Sequence, residues 1–150
     1  MSTQSDQAKR ERMESLYLAL TRSIPDVLEL TPEELRALME NEQVVLVDVR
    51  SEKEQKVSMI PGAISFRQFE QDETAHQGAT VVTYCTIGGR SGKFAKKLHD
   101  KGWKVFNLRG SLLAWTHAGG ALVCDEGPTR RVHVYRSKFS LAPESYEPVW

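Results

Sequence analysis

The stretch VVTYCTIGGRSGKFAKKL, residues 81–98, reads as strand, turn and helix in succession. Thr80 to Tyr84 reads as a buried strand of β-branched residues ending in a tyrosine. Phe94, Ala95 and Leu98 recur at helical spacing from Ser91 to Asp100. Lys96 and Lys97 sit near the end of that helix, where cations favour the dipole, and Gly102 is a stop signal. Between the two elements lies Cys85-Thr86-Ile87-Gly88-Gly89-Arg90-Ser91. The first turn of a helix leaves its N–H groups without helical partners. A loop that curls around the cysteine turns those donors toward its sulfur. Gly88 and Gly89 allow the required backbone angles and keep side chains out of the cradle.

An ordinary thiol, with a pKa of about 8.5, is only slightly ionised at neutral pH. A charge-assisted hydrogen bond contributes roughly 1.5–3 kcal/mol, and one pKa unit corresponds to about 1.4 kcal/mol. One or two well-aimed amides therefore suffice to make Cys85 mostly thiolate. Such a nucleophile needs no histidine base, and none is near in sequence. The bland alternative is a buried cysteine before a plain glycine turn.

Outward from this segment, strand and helix signals alternate from about residue 26 to 118. DVLEL is a short strand. Thr31-Pro32-Glu33-Glu34 starts a helix, with Thr31 as cap, Pro32 at the first position and Glu34 closing a capping box. Leu35, Leu38 and Met39 form its apolar face. QVVLVDVR, residues 43–50, reads as a central strand, SEKEQK as a short helix and AISF as a brief strand after the Pro61-Gly62 turn. Residues 67–79 read as helix, then loop. WKVFNL is another strand, and Gly110 and Ser111 open a last short helix carrying Leu112 and Trp115. The alternation predicts an α/β fold: a mostly parallel sheet flanked by helices in three layers, with ligands bound at the carboxyl ends of strands.

Two flanking segments break the pattern. Met13, Leu16, Tyr17 and Leu20 make residues 8–22 an amphipathic helix, ended by Ile24-Pro25. This divides the chain into an N-terminal helix (1–25), a central domain (26–122) and a C-terminal extension (123–150). The extension interleaves Arg130, Arg131, Arg136 and Lys138 with Tyr135 and Phe139. It reads as a solvated tail, partly extended against the domain, or as a partner or anion site.

The bulk numbers narrow the class. The chain has 150 residues, ordinary for one domain, and a formal net charge of +0, which argues against nucleic-acid or membrane-surface binding through bulk electrostatics. No apolar run reaches the roughly 20 residues of a membrane span. The polar, mixed-charge N-terminus MSTQSDQAKRERMES lacks the apolar core of a secretion signal, so a cytoplasmic address is expected. The two cysteines, Cys85 and Cys124, are too few for a disulfide scaffold. His76, His99, His117 and His133 are scattered, and neither cysteine has a metal-ligand neighbour at ligand spacing. No metal or other cofactor is expected.

Four features together resemble the single-domain rhodanese-like sulfurtransferases: the strand ending Asp48-Val49-Arg50, Ile60-Pro61-Gly62-Ala63-Ile64, the loop from Cys85 to Ser91, and Leu108-Arg109-Gly110 leading to Ala114-Trp115. Their order and separations also fit, over about residues 26–122. The resemblance implies sulfane-sulfur transfer. Cys85 takes sulfur from a donor such as thiosulfate, becomes a persulfide, and passes the sulfur to a thiophilic acceptor: cyanide, a small thiol or a protein. Thr86, Ile87, Gly88, Gly89 and Arg90 are then the substrate-binding loop, with Arg90 on the anionic donor. The resemblance also leaves a second reading, a non-catalytic protein-interaction or regulatory module: such members have usually lost the cysteine, which is present here as Cys85, while the N-terminal helix and the tail could recruit a partner. The same fold hosts phosphatases and arsenate reductases with a cysteine-x5-arginine loop, and the cysteine-x4-arginine spacing here favours sulfur over the larger phosphoryl group. Ser58-Met59 and Ser111 depart from the family pattern at positions that look structural. Asp48 and Arg50 read as a buried ion pair or strand-end anchor, against a direct substrate role. Trp115 reads as core. Cys124 is a second thiol able to resolve a persulfide only if the fold brings it to Cys85.

Overall fold

The computed structural model describes residues 4–150. The N-terminal periodicity becomes α1 (Asp6–Thr21), capped by the Ser5 side chain. The chain then alternates: β1 (Leu28–Leu30), α2 (Pro32–Asn41), β2 (Val44–Asp48), α3 (Glu52–Val57), β3 (Ile64–Ser65) and α4 (Phe66–Gln71). A single 3₁₀ turn, Glu73–His76, replaces the loop expected there. β4 (Thr80–Tyr84), α5 (Gly89–Asp100), β5 (Val105–Leu108) and α6 (Ser111–His117) complete the alternation. In the capping boxes at Thr31, Ser51 and Ser65 the cap hydroxyl accepts from the backbone N–H three residues on, and the acidic or amide side chain of that residue accepts from the cap's own backbone N–H.

β1 to β5 form one sheet in the order β1-β5-β4-β2-β3, and every neighbouring pair is parallel. Both faces of a parallel sheet are covered, so its central strands lose their polar positions. All five residues of β4 are buried. Val82 and Tyr84 face one side with Leu46 and Leu108; Val81 faces the other with Val47 and Val105. The first side packs against Met13 and Tyr17 of α1, Leu35 of α2, and Leu112, Leu113 and Trp115 of α6. The second packs against Phe69 of α4 and Phe94, Ala95 and Leu98 of α5. Trp115 is core, as its sequence position suggested, with its indole N–H donating to the Ala121 carbonyl at 2.8 Å. Met39 departs from its expected inward face and is exposed.

The C-terminal extension is not a solvated tail. It begins with a hairpin, β6 (Leu122–Cys124) and β7 (Gly127–Thr129), and continues into β8 (Arg131–His133) and β9 (Glu147–Val149), which pair in parallel. Val132, Val134, Leu141, Ala142 and Tyr146 are buried in the larger core. Ser58 helps tie it down: its hydroxyl donates to the Arg131 carbonyl at 2.6 Å. Among the described residues no helix is long and apolar enough to cross a membrane.

Candidate active site

Parallel β4 delivers Cys85 to the carboxyl edge of the sheet, and the loop to α5 turns directly above it. Cys85 is 2% exposed and lines a pocket of about 270 Å³ together with Leu20, Thr86, Ile87, Gly89, Arg90, Tyr135, Arg136 and Phe139. The loop is clamped from beneath. Leu112 and Leu113 donate their backbone N–H groups to the carbonyls of Cys85 and Thr86, both at 3.1 Å. The Cys85 N–H donates to Ser111 Oγ at 3.2 Å, and the Asn107 amide donates to the Gly88 carbonyl at 3.0 Å. Ser111, one of the departures from the family pattern, is therefore a support of the loop.

The donors on the sulfur come from one residue beyond the expected set. Ser91 donates its backbone N–H to Cys85 Sγ at 3.4 Å, and its hydroxyl lies 3.3 Å from the same atom. That hydroxyl also contacts Asn107 Oδ1 at 2.6 Å and Ser111 Oγ at 3.3 Å. The N–H groups of Thr86, Ile87, Gly88, Gly89 and Arg90 do not bond the sulfur, as the sequence had suggested; among the described residues they have no hydrogen-bond partner at all. Five successive unpaired donors in a largely buried loop are an unfilled demand for an acceptor. The register explains the difference. The first helical bond of α5 runs from Gly92 N–H to the Gly88 carbonyl, so Ser91 is the last free amide before it and the one that reaches the thiol.

Only one of the two glycines needs its special backbone freedom. Gly88 sits at φ +131°, and a Cβ there would stand 2.6 Å from the Tyr17 ring. Gly89 has an ordinary φ; its missing side chain makes room for Leu20 of α1. Tyr17 cannot swing aside freely, since it is buried, bonded to Glu29 and stacked under Arg109 at 5.3 Å. Gly88→Ala is expected to cost about 1–3 kcal/mol from backbone strain and crowding, read as a lower urea midpoint. A change below about 0.5 kcal/mol would mean that α1 does not hold the loop.

Arg90 lines the Cys85 pocket, but its guanidinium is already paired with a carboxylate. Its guanidinium makes a two-pronged pair with Glu54, at 2.8 and 3.0 Å, and donates to Thr86 Oγ1 at 3.1 Å. Glu54 was missed by sequence reading, which took it only as part of a short helix. Its capping box with Ser51 was the available signal, because it fixes the side of α3 on which the carboxylate emerges. Burial pushes the Glu54 carboxyl up, but the Arg90 hydrogen bonds and charge, aided by Ser51, outweigh it and bring its pKa to about 2. Burial lowers the pKa of both His117 and His133.

The signs of these shifts agree. A carboxylate depressed in the folded state stabilises it above the ordinary value of 4.5, and that contribution fades as pH falls toward about 2. The two depressed histidines favour the folded state while neutral, so their contribution begins to fade below about 6.5. Stability is expected to fall in two stages as pH drops from 7 to 3. The lower stage amounts to about 2 kcal/mol after allowance for screening at the partly exposed Arg90. Urea unfolding across that range measures it, and Glu54→Gln should remove the lower stage while sparing the upper.

Asp48 and Arg50 form the expected buried pair, with both side chains fully shielded from solvent. Cys124 lies in the β6–β7 hairpin, with its thiol on the Gly127 carbonyl at 3.4 Å, and does not line the Cys85 pocket.

Comparison with known proteins matches residues 31–118, more than half of the chain, to the rhodanese-like domain. The chain belongs to the rhodanese-like family. A sulfurtransferase of Allochromatium vinosum is 35% identical over 95 residues, which cover 60% of this chain and 88% of that protein. A tRNA sulfurtransferase of Desulfurococcus amylolyticus is 40% identical over 68 residues, 45% of this chain, and the match spans only 14% of that longer protein. A solved thiosulfate sulfurtransferase of Pseudomonas aeruginosa superposes with a TM-score of 0.61 at 24% identity, covering 75% of this chain and 23% of that one, and shows the shared fold. The four rhodanese-like features adjoin one another: the Asp48–Arg50 pair braces the end of β2, next to β4, the Ile60 N–H donates to the Tyr84 hydroxyl at 3.1 Å just before the Cys85 loop, and Leu108-Arg109-Gly110 leads into the α6 turn that clamps that loop.

Proposed function

We propose that this rhodanese-like protein is a sulfurtransferase that carries sulfane sulfur on Cys85. One observation carries the reading: Cys85 lines a pocket with the Ser91 N–H on its sulfur, and the N–H groups of residues 86–90 in the same loop have no partner among the described residues. A sulfur anion is a small acceptor that suits a narrow ring of amide donors. The cysteine-x4-arginine loop supports sulfur over a phosphoryl group. The likeness to a protein named sulfurtransferase over most of that protein's length supports the same class.

With thiosulfate as donor, the Cys85 thiolate attacks the outer sulfur. A new S–S bond forms to Cys85, the donor's S–S bond breaks, and sulfite leaves with its electron pair. The persulfide then bears the negative charge on its terminal sulfur, where the unpaired amides supply hydrogen bonds. An acceptor such as cyanide attacks that terminal sulfur, leaves as thiocyanate and returns the thiolate. No proton moves in either step, which fits a site where no histidine contacts the sulfur. A persulfide donor or a protein acceptor follows the same course.

The test is direct. Protein mixed with thiosulfate is expected to gain the mass of one sulfur atom on the peptide containing Cys85, and to release thiocyanate when cyanide is added. Protein that takes up no sulfur from thiosulfate or from a small persulfide would overturn the reading.

A further inference from the structure

The C-terminal extension closes the pocket over Cys85. Tyr135, Arg136 and Phe139 line it together with Leu20 of α1 and Ile87 of the loop. These residues lie outside the 31–118 match, apart from Ile87. This lining is pinned. Tyr135 is held at φ +78°, in the left-handed region that side chains rarely adopt, and its N–H donates to His133 Nδ1 at 3.0 Å. Its ring carries two guanidinium groups, Arg90 at 4.5 Å and Arg136 at 5.1 Å, and stacks beside Phe139 at 6.3 Å.

The two arginines are not equivalent. Arg90 is neutralised by Glu54. Arg136 is exposed and makes no ion pair or side-chain hydrogen bond among the described residues. The pocket thus combines residues of the unpaired-amide loop, the apolar side chains of Leu20, Ile87, Tyr135 and Phe139, and one uncompensated cation, Arg136. Its volume of about 270 Å³ has room for a ligand much larger than a single water.

Resting on the sulfur-transfer reading, we propose that Arg136 is a specificity-determining residue that recognises a carboxylate on a small organic thiol whose apolar body lies against Tyr135 and Phe139. That thiol is the acceptor. It attacks the terminal sulfur of the Cys85 persulfide, the S–S bond to Cys85 breaks, and Cys85 leaves as thiolate. The acceptor departs as an organic persulfide that keeps the thiol proton. Arg136 acts at the far end of the acceptor and takes no part in bond making. A planar guanidinium pairs with a carboxylate through two parallel hydrogen bonds, and aromatic side chains favour a flat apolar body.

The experiment loads the full-length protein with thiosulfate and discharges it with 4-mercaptophenylacetate, its methyl ester, mercaptoacetate and cyanide. In the wild type, kcat/KM for the carboxylate is expected to exceed that for the ester by about tenfold, the size of one charge-assisted hydrogen bond. Mercaptoacetate, which lacks the aryl body, should be the poorer of the two carboxylates. Arg136→Gln should erase the preference for carboxylate over ester, and Arg136→Lys should retain part of it. A general disturbance of the fold would lower both substrates together and leave their ratio intact. A wild type that treats carboxylate and ester alike overturns the inference, as does an Arg136→Gln protein that keeps the preference. If the protein loads sulfur and yields thiocyanate but shows no such ratio, this inference alone falls. If it loads no sulfur, the sulfur-transfer reading falls and this inference with it.

Discussion

Cys85→Ser protein treated with thiosulfate is expected to gain no sulfur and to release no thiocyanate with cyanide, a loss of at least about a thousandfold. The substitution keeps nearly the same shape, so the Ser91 contact has a partner of similar size, and the backbone bond to Ser111 is untouched. What is lost is the atom. A hydroxyl stays protonated at neutral pH and is a poor nucleophile without an adjacent base, and no histidine bonds to this position. The same pocket therefore binds donor without reacting with it. Cys124→Ser should behave as wild type, because that thiol lies in the β6–β7 hairpin and lines no part of the pocket. Sulfur on Cys124 in the Cys85→Ser protein, or more than about a tenth of the wild-type turnover, would defeat the assignment of Cys85 as carrier.

Asp48→Ala is expected to be the most destabilising of the single changes considered, by about 3–5 kcal/mol. Arg50 Nε and Nη2 grip the Asp48 carboxylate at 3.0 and 2.7 Å, and Nη2 also donates to the Ser58 carbonyl at 2.6 Å. Burial weakens the hold of Arg50 on its proton, but Asp48 outweighs this and keeps the guanidinium charged. Removing the carboxylate leaves that charge buried among Tyr84 and the strand ends with only a carbonyl for company. Domains of this size retain only about 5–15 kcal/mol in total, so the variant approaches the limit of folding at room temperature. The cost belongs to the orphaned partner more than to the lost attraction. Asp48→Leu combined with Arg50→Met should therefore recover most of the loss, since apolar replacement of a whole buried pair is often neutral. Urea unfolding of both proteins decides it. A single variant that loses less than about 1 kcal/mol would contradict a dry, fully shielded pair.

Much of the fold was legible because local and global signals agree. The apolar run Val44–Val47 and the β-branched run Thr80–Thr83 mark strands buried in the sheet, and the helices between them carry caps of recognisable chemistry. The extension was not legible. Residues 123–150 contain proline, glycine and charge, yet they bury Val132, Val134, Leu141 and Tyr146. Their burial is spaced irregularly, as short strands and turns impose, and no single period reports it.

The amino-acid order alone determined the alternation of strands and helices, the place of Cys85 at the end of a buried strand, and the length of the loop after it. These follow from side-chain periodicity and from the free amides of a helix start, both local properties of the chain. Only the tertiary structure decided which residues complete the site. Glu54 reaches Arg90, Ser91 rather than its predecessors reaches the sulfur, and Tyr135 and Arg136 roof the pocket from 50 residues further along the chain. Such meetings depend on the strand order β1-β5-β4-β2-β3 and on the docking of the extension. Contacts between distant segments arise from burial summed over the whole core, and no local pattern encodes them.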